Sequence, residues 1–197
     1  AETLAATREH PDRFVPIACL SPMNNGGGQA LRNLVSQGFM AVRLYPLALQ
    51  GYSLNSGYVA DIAHTAGECG IPIIIPTRPM MNFRFPTLSI DEVVALALRH
   101  PETTFILSGP NYLSEFRAAV EGMTRCPNIL IEISCMQGLR AVARLVESVG
   151  AQRILFGTGA VLQYPACNVA KLQHAGITTE QRNAIACGNT TMLLTHR

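Results

Sequence analysis

The amino-acid sequence predicts an α/β fold, a parallel (β/α) barrel of the TIM type in which about six of the usual eight βα units are present. Six short apolar runs rich in β-branched residues recur along the chain, and helical patterns lie between them. The repeating unit is roughly 30 residues long, which is the size of a βαβ crossover. Because a full barrel usually takes ~250 residues, a chain of 197 residues has room for about six units.

The six apolar runs predict strands that are buried on both faces, as in a parallel sheet covered by helices. Their Val, Ile and Phe residues are typical of strands. The predicted strands are Phe14–Leu20, Phe39–Leu44, Ile71–Ile75, Thr104–Leu107, Ile129–Ile133 and Arg153–Phe156.

Helices are predicted between these strands. The clearest begins at Ser89, whose side chain can cap the helix while Glu92 completes a capping box three residues later. Residues 1–10 have the pattern of the end of a helix that leads into the first strand. The other predicted helices are Gly28–Gln37, Tyr58–Cys69, Leu113–Thr124, Gln137–Val149 and Thr179–Thr191.

A doubly wound open sheet is the main alternative, because it has the same alternation and a similar length. A dinucleotide-binding sheet of that kind carries G-x-G-x-x-G directly after a strand. The Gly26-Gly27-Gly28 cluster follows the first predicted strand but lacks this spacing, so we interpret it as a loop. The pattern therefore favours the barrel over the open sheet.

The composition indicates one globular domain over residues 1–197. Hydrophobic residues make up 48% of the chain and charged residues only 14%, compared with about 25% charged residues in average globular proteins. An additional buried face is therefore expected. It could be the second side of a parallel sheet, a subunit interface, or a surface that receives polypeptide absent from this sequence.

Charge and hydropathy argue against two classes of partner. The net charge of +2 and the lack of Lys/Arg runs give no electrostatic footprint for nucleic acid. The apolar runs are far shorter than the ~20 residues needed to cross a bilayer, so we expect a cytoplasmic protein without a membrane partner.

The six cysteines are scattered without any C-x-x-C pair, which indicates reduced thiols.

The predicted barrel starts two units late, so its N-terminal units are expected to be missing. A parallel sheet opened in this way exposes unpaired backbone groups along Phe14–Leu20 and Arg153–Phe156. We expect these edges to be covered, and we favour the first two strands of a longer natural chain. The alternatives are a second copy in a homo-oligomer, an additional chain, or closure of the two ends on each other.

The tail Arg153-Ile154-Leu155-Phe156-Gly157-Thr158-Gly159 and the closing segment 176–185 resemble the last strand and last helix of the amidohydrolase-related family. Residues 10–15 and 38–44 resemble the segments around that family's third and fourth strands. The resemblance covers essentially the whole chain, and it rests on the order and spacing of these segments. It implies a TIM-barrel hydrolase of the amidohydrolase superfamily, whose members usually depend on a metal ion.

The resemblance also implies a metal site, formed by His-x-His on the first strand, His on the fifth and sixth strands, and Asp on the eighth. Such ligands hold a divalent ion that generates a hydroxide nucleophile. This sequence places Pro76, Gly109 and Gly159 at the last three of these positions. None of these side chains can ligate a metal, so we expect no metal ligands and no cofactor.

Polar residues at the carboxyl ends of the strands are the candidates for a site, because barrel sites form there. Guanidinium groups offer a planar fork of donors for a carboxylate or phosphate. An alternative is that Arg43 forms a buried structural ion pair with Glu132. No nucleophile with a recognisable base is evident, so catalytic residues stay unassigned. The candidate substrate-binding residues are Arg43, Tyr45, Arg78, Asn111 and Glu132.

Two functions remain open at this point. The first is a degenerate or metal-independent member of the family, a possible pseudoenzyme, that binds a small anionic carboxylate ligand at the barrel mouth. The second is a non-catalytic subunit or interaction module that uses its open barrel edge. Arg43 and Arg78 in one pocket would favour the first function, and a large apolar face at the open edge would favour the second.

The substitutions at the ligand positions lead to a direct prediction. The purified chain should carry no stoichiometric Zn, Mn or Fe, because Pro76, Gly109 and Gly159 provide no side-chain ligand. Elemental analysis of the purified protein checks this. One tightly bound transition-metal ion per chain would contradict it.

Overall fold

The computed structural model describes residues 2–46, 51–78, 87–111, 114–160 and 162–195. Six parallel strands form one sheet in the order in which they occur along the chain. The strands are β1 (Ile17–Cys19), β2 (Ala41–Arg43), β3 (Ile73–Pro76), β4 (Phe105–Ser108), β5 (Ile129–Glu132) and β6 (Ile154–Leu155).

Helices alternate with these strands, as the sequence predicts. A turn of 3-10 helix over Ala151–Arg153 leads into β6, and Ala184–Gly188 form a π-helical turn near the C-terminus. The helices are α1 (Glu2–Glu9), α2 (Pro22–Asn25), α3 (Gly27–Ser36), α4 (Gly57–Cys69), α5 (Ile90–Arg99), α6 (Ser114–Arg125), α7 (Ala141–Val149), α8 (Pro165–Gln173), α9 (Thr179–Asn183) and α10 (Asn189–Thr195).

The strand order decides between the two folds that the sequence left open. A doubly wound sheet reverses its strand order at a switch point, whereas here each strand pairs with the next one in sequence from β1 to β6. Uninterrupted sequential pairing of parallel strands is the order of a (β/α) barrel. The predicted partial parallel barrel is therefore confirmed, with six βα units and with β1 and β6 at the two edges of the sheet.

The sheet has two different faces, because side chains alternate along each strand. One face packs against the helices through residues such as Val42, Ile73 and Phe105, which belong to the main hydrophobic core. The opposite face carries a smaller apolar cluster formed by Ala41, Ile74, Ile106 and Leu155, with Leu130 and Leu193 packed against it. This second face corresponds to the interior of the barrel.

The glycine cluster after β1 is only partly the loop that the sequence predicts. Gly26 has a φ of +78° and lies between α2 and α3, while Gly27 and Gly28 form the first turn of α3. The Gly28 N–H donates to the Asp61 carboxylate of α4 at 2.6 Å. A Cβ atom at either Gly27 or Gly28 would overlap side-chain atoms of α4, so these glycines allow the two helices to approach closely.

The helix predicted over Thr179–Thr191 is present, but it contains a π-helical turn that the sequence does not predict. The structure has α9, the π-helical turn and α10 in direct succession. The Ile185 carbonyl in the π-helical turn accepts a hydrogen bond from the Phe156 N–H at 3.1 Å. The Asn189 amide donates to the carbonyls of Ala151 and Ile154 at 2.8 and 2.7 Å. The closing helices therefore cover the end of β6.

The β1 edge differs from the β6 edge. No other strand of the described residues pairs with the outer side of β1. The apolar side chains of Phe14, Val15 and Ile17 are 52%, 43% and 40% exposed. The regular strand β1, Ile17–Cys19, is also shorter than the predicted Phe14–Leu20.

Two further observations concern membrane-spanning helices and the cysteines. Within the described ranges, no helix combines the length and the hydropathy that a membrane span requires. The six cysteines are free thiols, and Cys126 is buried in the core.

Candidate functional site

A cleft of about 420 Å³ opens at the carboxyl ends of the strands. Five of the residues that line it come two positions after a residue on the interior face of the barrel. Because side chains alternate along a strand, these five positions also face the cleft. They are Arg43, Pro76, Ser108, Glu132 and Gly157. The loops beyond the strands complete the lining with Tyr45, Arg78, Ser134, Cys135, Gly159, Ala160, Leu162 and Gln163.

Arg43 brings a positive charge to the cleft from the end of β2. Its Nη1 donates to the Tyr45 hydroxyl at 3.3 Å, and its Cζ atom lies 5.9 Å from the centre of the Tyr45 ring. The Arg43 Nε is buried and has no hydrogen-bond partner among the described residues. No carboxylate in that part of the chain forms an ion pair with Arg43. The alternative of a structural Arg43–Glu132 pair is therefore not what the structure contains.

Glu132 brings a negative charge to the same cleft from the end of β5. Its carboxylate accepts hydrogen bonds from the Ser134 N–H, from the Ser134 hydroxyl at 2.9 Å and from the Ser108 hydroxyl at 3.0 Å. A side chain at Gly157 would overlap the Glu132 carboxylate. Donors on one side and a glycine on the other therefore fix the position of the carboxylate.

Arg78 lines the cleft together with Arg43, but its charge is already compensated. The Arg78 Nη2 lies 2.8 Å from the Glu115 carboxylate, and the two side chains are only 9% and 12% exposed. The Asn111 N–H donates to the other oxygen of Glu115 at 2.6 Å. Asn111 itself is buried and does not line the cleft. Four of the five candidate residues thus share one cleft, and Asn111 lies behind it.

Two further ionisable groups lie near Glu132. Burial raises the pKa of the Cys135 thiol, which accepts hydrogen bonds from the Gln163 amide at 3.6 Å and the Ser134 hydroxyl at 3.8 Å. Burial lowers the pKa of Lys171 on α8, although the negative charge of Glu132 opposes this shift. The Lys171 ammonium donates to the carbonyls of Ile133 and Ser134 at 2.8 and 3.1 Å. Cys135 is therefore largely a neutral thiol at neutral pH.

Sequence reasoning missed Glu115 and Lys171 because both residues act from helices rather than from strand ends. Neither position shows a sequence signal that would connect it to the site. The alternation of residues along the strands, in contrast, does point to Ser108 and Gly157, which lie two positions beyond Ile106 and Leu155.

The cleft residues do not form a set of metal ligands. Pro76 and Gly159 line the cleft, and Gly109, with a φ of +96°, lies against the Arg78 backbone. Across the described ranges, no group of three His, Cys, Asp or Glu residues is arranged to hold a metal ion. Glu132 and Cys135 are the acidic and thiol groups of the lining. We therefore assign no chemical step to a metal here.

Comparison with known proteins identifies the family of this chain. The model of the Amidohydro_2 family of amidohydrolases matches residues 1–195. The chain belongs to this amidohydrolase family. The resemblance that the sequence showed is thereby confirmed. No curated protein sequence matches the chain.

Several solved structures are similar to this amidohydrolase-family chain, and three of them are described below. An uncharacterized TIM-barrel protein from Bordetella bronchiseptica superposes with a TM-score of 0.82 at 17% identity, over 98% of this chain and 70% of its own. The 5-carboxyvanillate decarboxylase from Sphingomonas paucimobilis gives 0.77 at 14% identity, over 98% and 70%. The 2,6-dihydroxybenzoate decarboxylase from Rhizobium gives 0.75 at 16% identity, over 98% and 74%. At these identities the similarity establishes a common fold.

The Arg78–Glu115 pair should make a large contribution to stability. Glu115→Gln removes the carboxylate charge that lies 2.8 Å from the nearly buried Arg78 guanidinium, so we expect a loss of roughly 3 kcal/mol in the free energy of unfolding. Urea denaturation measures this loss. The matched control is Glu121→Gln, because Glu121 pairs with Arg117 on the surface with side chains 60% and 88% exposed. That change should cost less than about 1 kcal/mol, and equal losses in the two variants would contradict the assigned role.

Proposed function

We propose that this amidohydrolase-family chain binds a small carboxylate in the cleft, with Arg43 as the anion receptor. The observation that carries the proposal is the state of the Arg43 guanidinium. It lines the cleft, its Nε is buried without a hydrogen-bond partner, and no carboxylate of the described residues compensates its charge. A charge in this position is costly unless it is paired, and a carboxylate ligand would supply the pair.

The chemistry of the guanidinium group supports a carboxylate over a neutral ligand. Its N–H groups form a rigid planar fork that matches the two oxygens of a carboxylate. Tyr45 packs against the group and accepts a hydrogen bond from Nη1, which restricts its rotation before a ligand arrives. Less side-chain entropy is then lost on binding.

The relatives support the same class of ligand. Two of the similar structures are decarboxylases named for 5-carboxyvanillate and 2,6-dihydroxybenzoate, which are both carboxylates.

The residues at the family's metal positions favour a degenerate or metal-independent member, because Pro76, Gly109 and Gly159 offer no side-chain ligand. We therefore propose carboxylate binding as the function and assign no hydrolytic or decarboxylation step to the chain.

A second candidate function rests on the β1 edge. The exposed apolar side chains of Phe14, Val15 and Ile17 lie at the start of β1 or just before it, and β1 pairs with only one other strand of the described residues. Exposed edges of this kind invite pairing with another polypeptide. A second copy of the chain or an additional subunit would cover this edge in an interaction module. The two candidates depend on different residues, Arg43 for the first and the β1 edge for the second.

Arg43→Gln should weaken carboxylate binding by roughly 2 kcal/mol or more, because it removes the charge and part of the donor fork. Isothermal titration calorimetry with butyrate measures the effect, and butyramide tests whether the carboxylate charge is required. The control is Arg117→Gln, since Arg117 is 88% exposed on α6 and its loss should leave the affinity unchanged. Equal butyrate affinities of the wild-type protein and Arg43→Gln would refute the proposal.

A further inference from the structure

The charged groups of the cleft are of opposite sign and are not paired with each other. Arg43 and Glu132 both line it, whereas the charge of the third ionised residue, Arg78, is compensated by Glu115. Arg43 belongs to β2 and Glu132 to β5, and β3 and β4 lie between these strands. The cleft therefore presents a positive group and a negative group to whatever occupies it.

The Glu132 carboxylate keeps acceptor capacity toward the cleft. Its Oε2 accepts from the hydroxyls of Ser108 and Ser134, while its Oε1 accepts from the Ser134 N–H. An ionised carboxylate has about four acceptor sites, so one site on Oε1 is not used by these three donors. Oε1 is the Glu132 atom that lies closest to the position a Cβ atom would take at Gly157, and both residues line the cleft.

No cation of the described residues forms an ion pair with Glu132. The nearest candidate, Lys171, donates instead to the carbonyls of Ile133 and Ser134. Its charge acts on Glu132 through space, but Lys171 does not line the cleft. A ligand ammonium at Oε1 would therefore meet an oriented carboxylate without having to displace a protein cation.

We infer that the cleft is a receptor for a zwitterionic amino acid whose carboxylate binds Arg43 and whose ammonium group binds Glu132. This inference rests on the proposed carboxylate-binding function and adds the second charged group of the ligand. Arg43 and Glu132 lie on strands that are not neighbours, so we consider amino acids with different numbers of methylene groups between the amine and the carboxylate. The Pro76 ring on β3, between β2 and β5 in the sheet, lines the cleft and offers an apolar surface to those methylene groups.

The test compares pairs of ligands that differ only in the amine. Binding of β-alanine, γ-aminobutyrate, δ-aminovalerate and ε-aminocaproate is measured by calorimetry against propionate, butyrate, valerate and caproate. At one chain length or more, the amino acid should bind the wild-type protein at least about tenfold more tightly than its partner. The wild-type series decides the question without any variant. No preference for the amine at any length would overturn the inference.

Two variants test which residue causes the preference for the ligand with an amine. Glu132→Gln should remove the difference between paired ligands while plain carboxylates still bind, and Arg43→Gln should weaken both members of each pair. An amine preference that survives in folded Glu132→Gln would contradict the role of Glu132. If the wild-type protein binds none of the eight ligands, the proposed function fails together with the inference. If plain carboxylates bind as tightly as the amino acids, only the inference fails.

Discussion

The alternation of side chains along parallel strands is the constraint on which the site depends. Apolar residues cover the interior face of the sheet, and the residues two positions later in each strand line the cleft. These residues are Arg43, Pro76, Ser108, Glu132 and Gly157. A shift of one residue in any strand would send its cleft residue to the helix-covered face. The apolar pairs in register, such as Ile74 with Ile106, therefore also fix the positions of the polar groups.

The protein handles its buried charges in two ways. Arg78 is compensated within the chain by Glu115, so it supports the wall of the cleft. Within the described part of the chain, Arg43 has an aromatic neighbour and no carboxylate partner, and Glu132 has hydroxyl and amide donors but no ion pair. Unpaired charges reduce stability, and such costs are typical of binding sites that gain from a ligand of complementary charge. We therefore assign a structural role to Arg78, which pairs with Glu115, and the binding role to Arg43.

The sequence predicted the fold well because the β-branched runs and the capping signals are local properties. All six strands lie within or at most one residue beyond their predicted ranges, and α5 begins directly after its predicted cap, Ser89. The site was predicted less completely. Glu115, which binds Arg78, comes from a helix more than 30 residues away, and no local pattern connects the two. The π-helical turn was missed because it accompanies the hydrogen bond between Ile185 and Phe156, a tertiary contact that helix propensity does not report.

The central claim is that the Arg43 guanidinium receives a ligand carboxylate. Side-chain NMR of the arginine Nε–H groups tests it directly, with the Arg43 signal assigned by its disappearance in Arg43→Lys. Titration with butyrate should shift the Arg43 signal in a saturable way and leave the signal of the surface residue Arg117 unchanged. A saturable shift that appears at Arg78 but not at Arg43, or no saturable shift at either residue, would contradict the account.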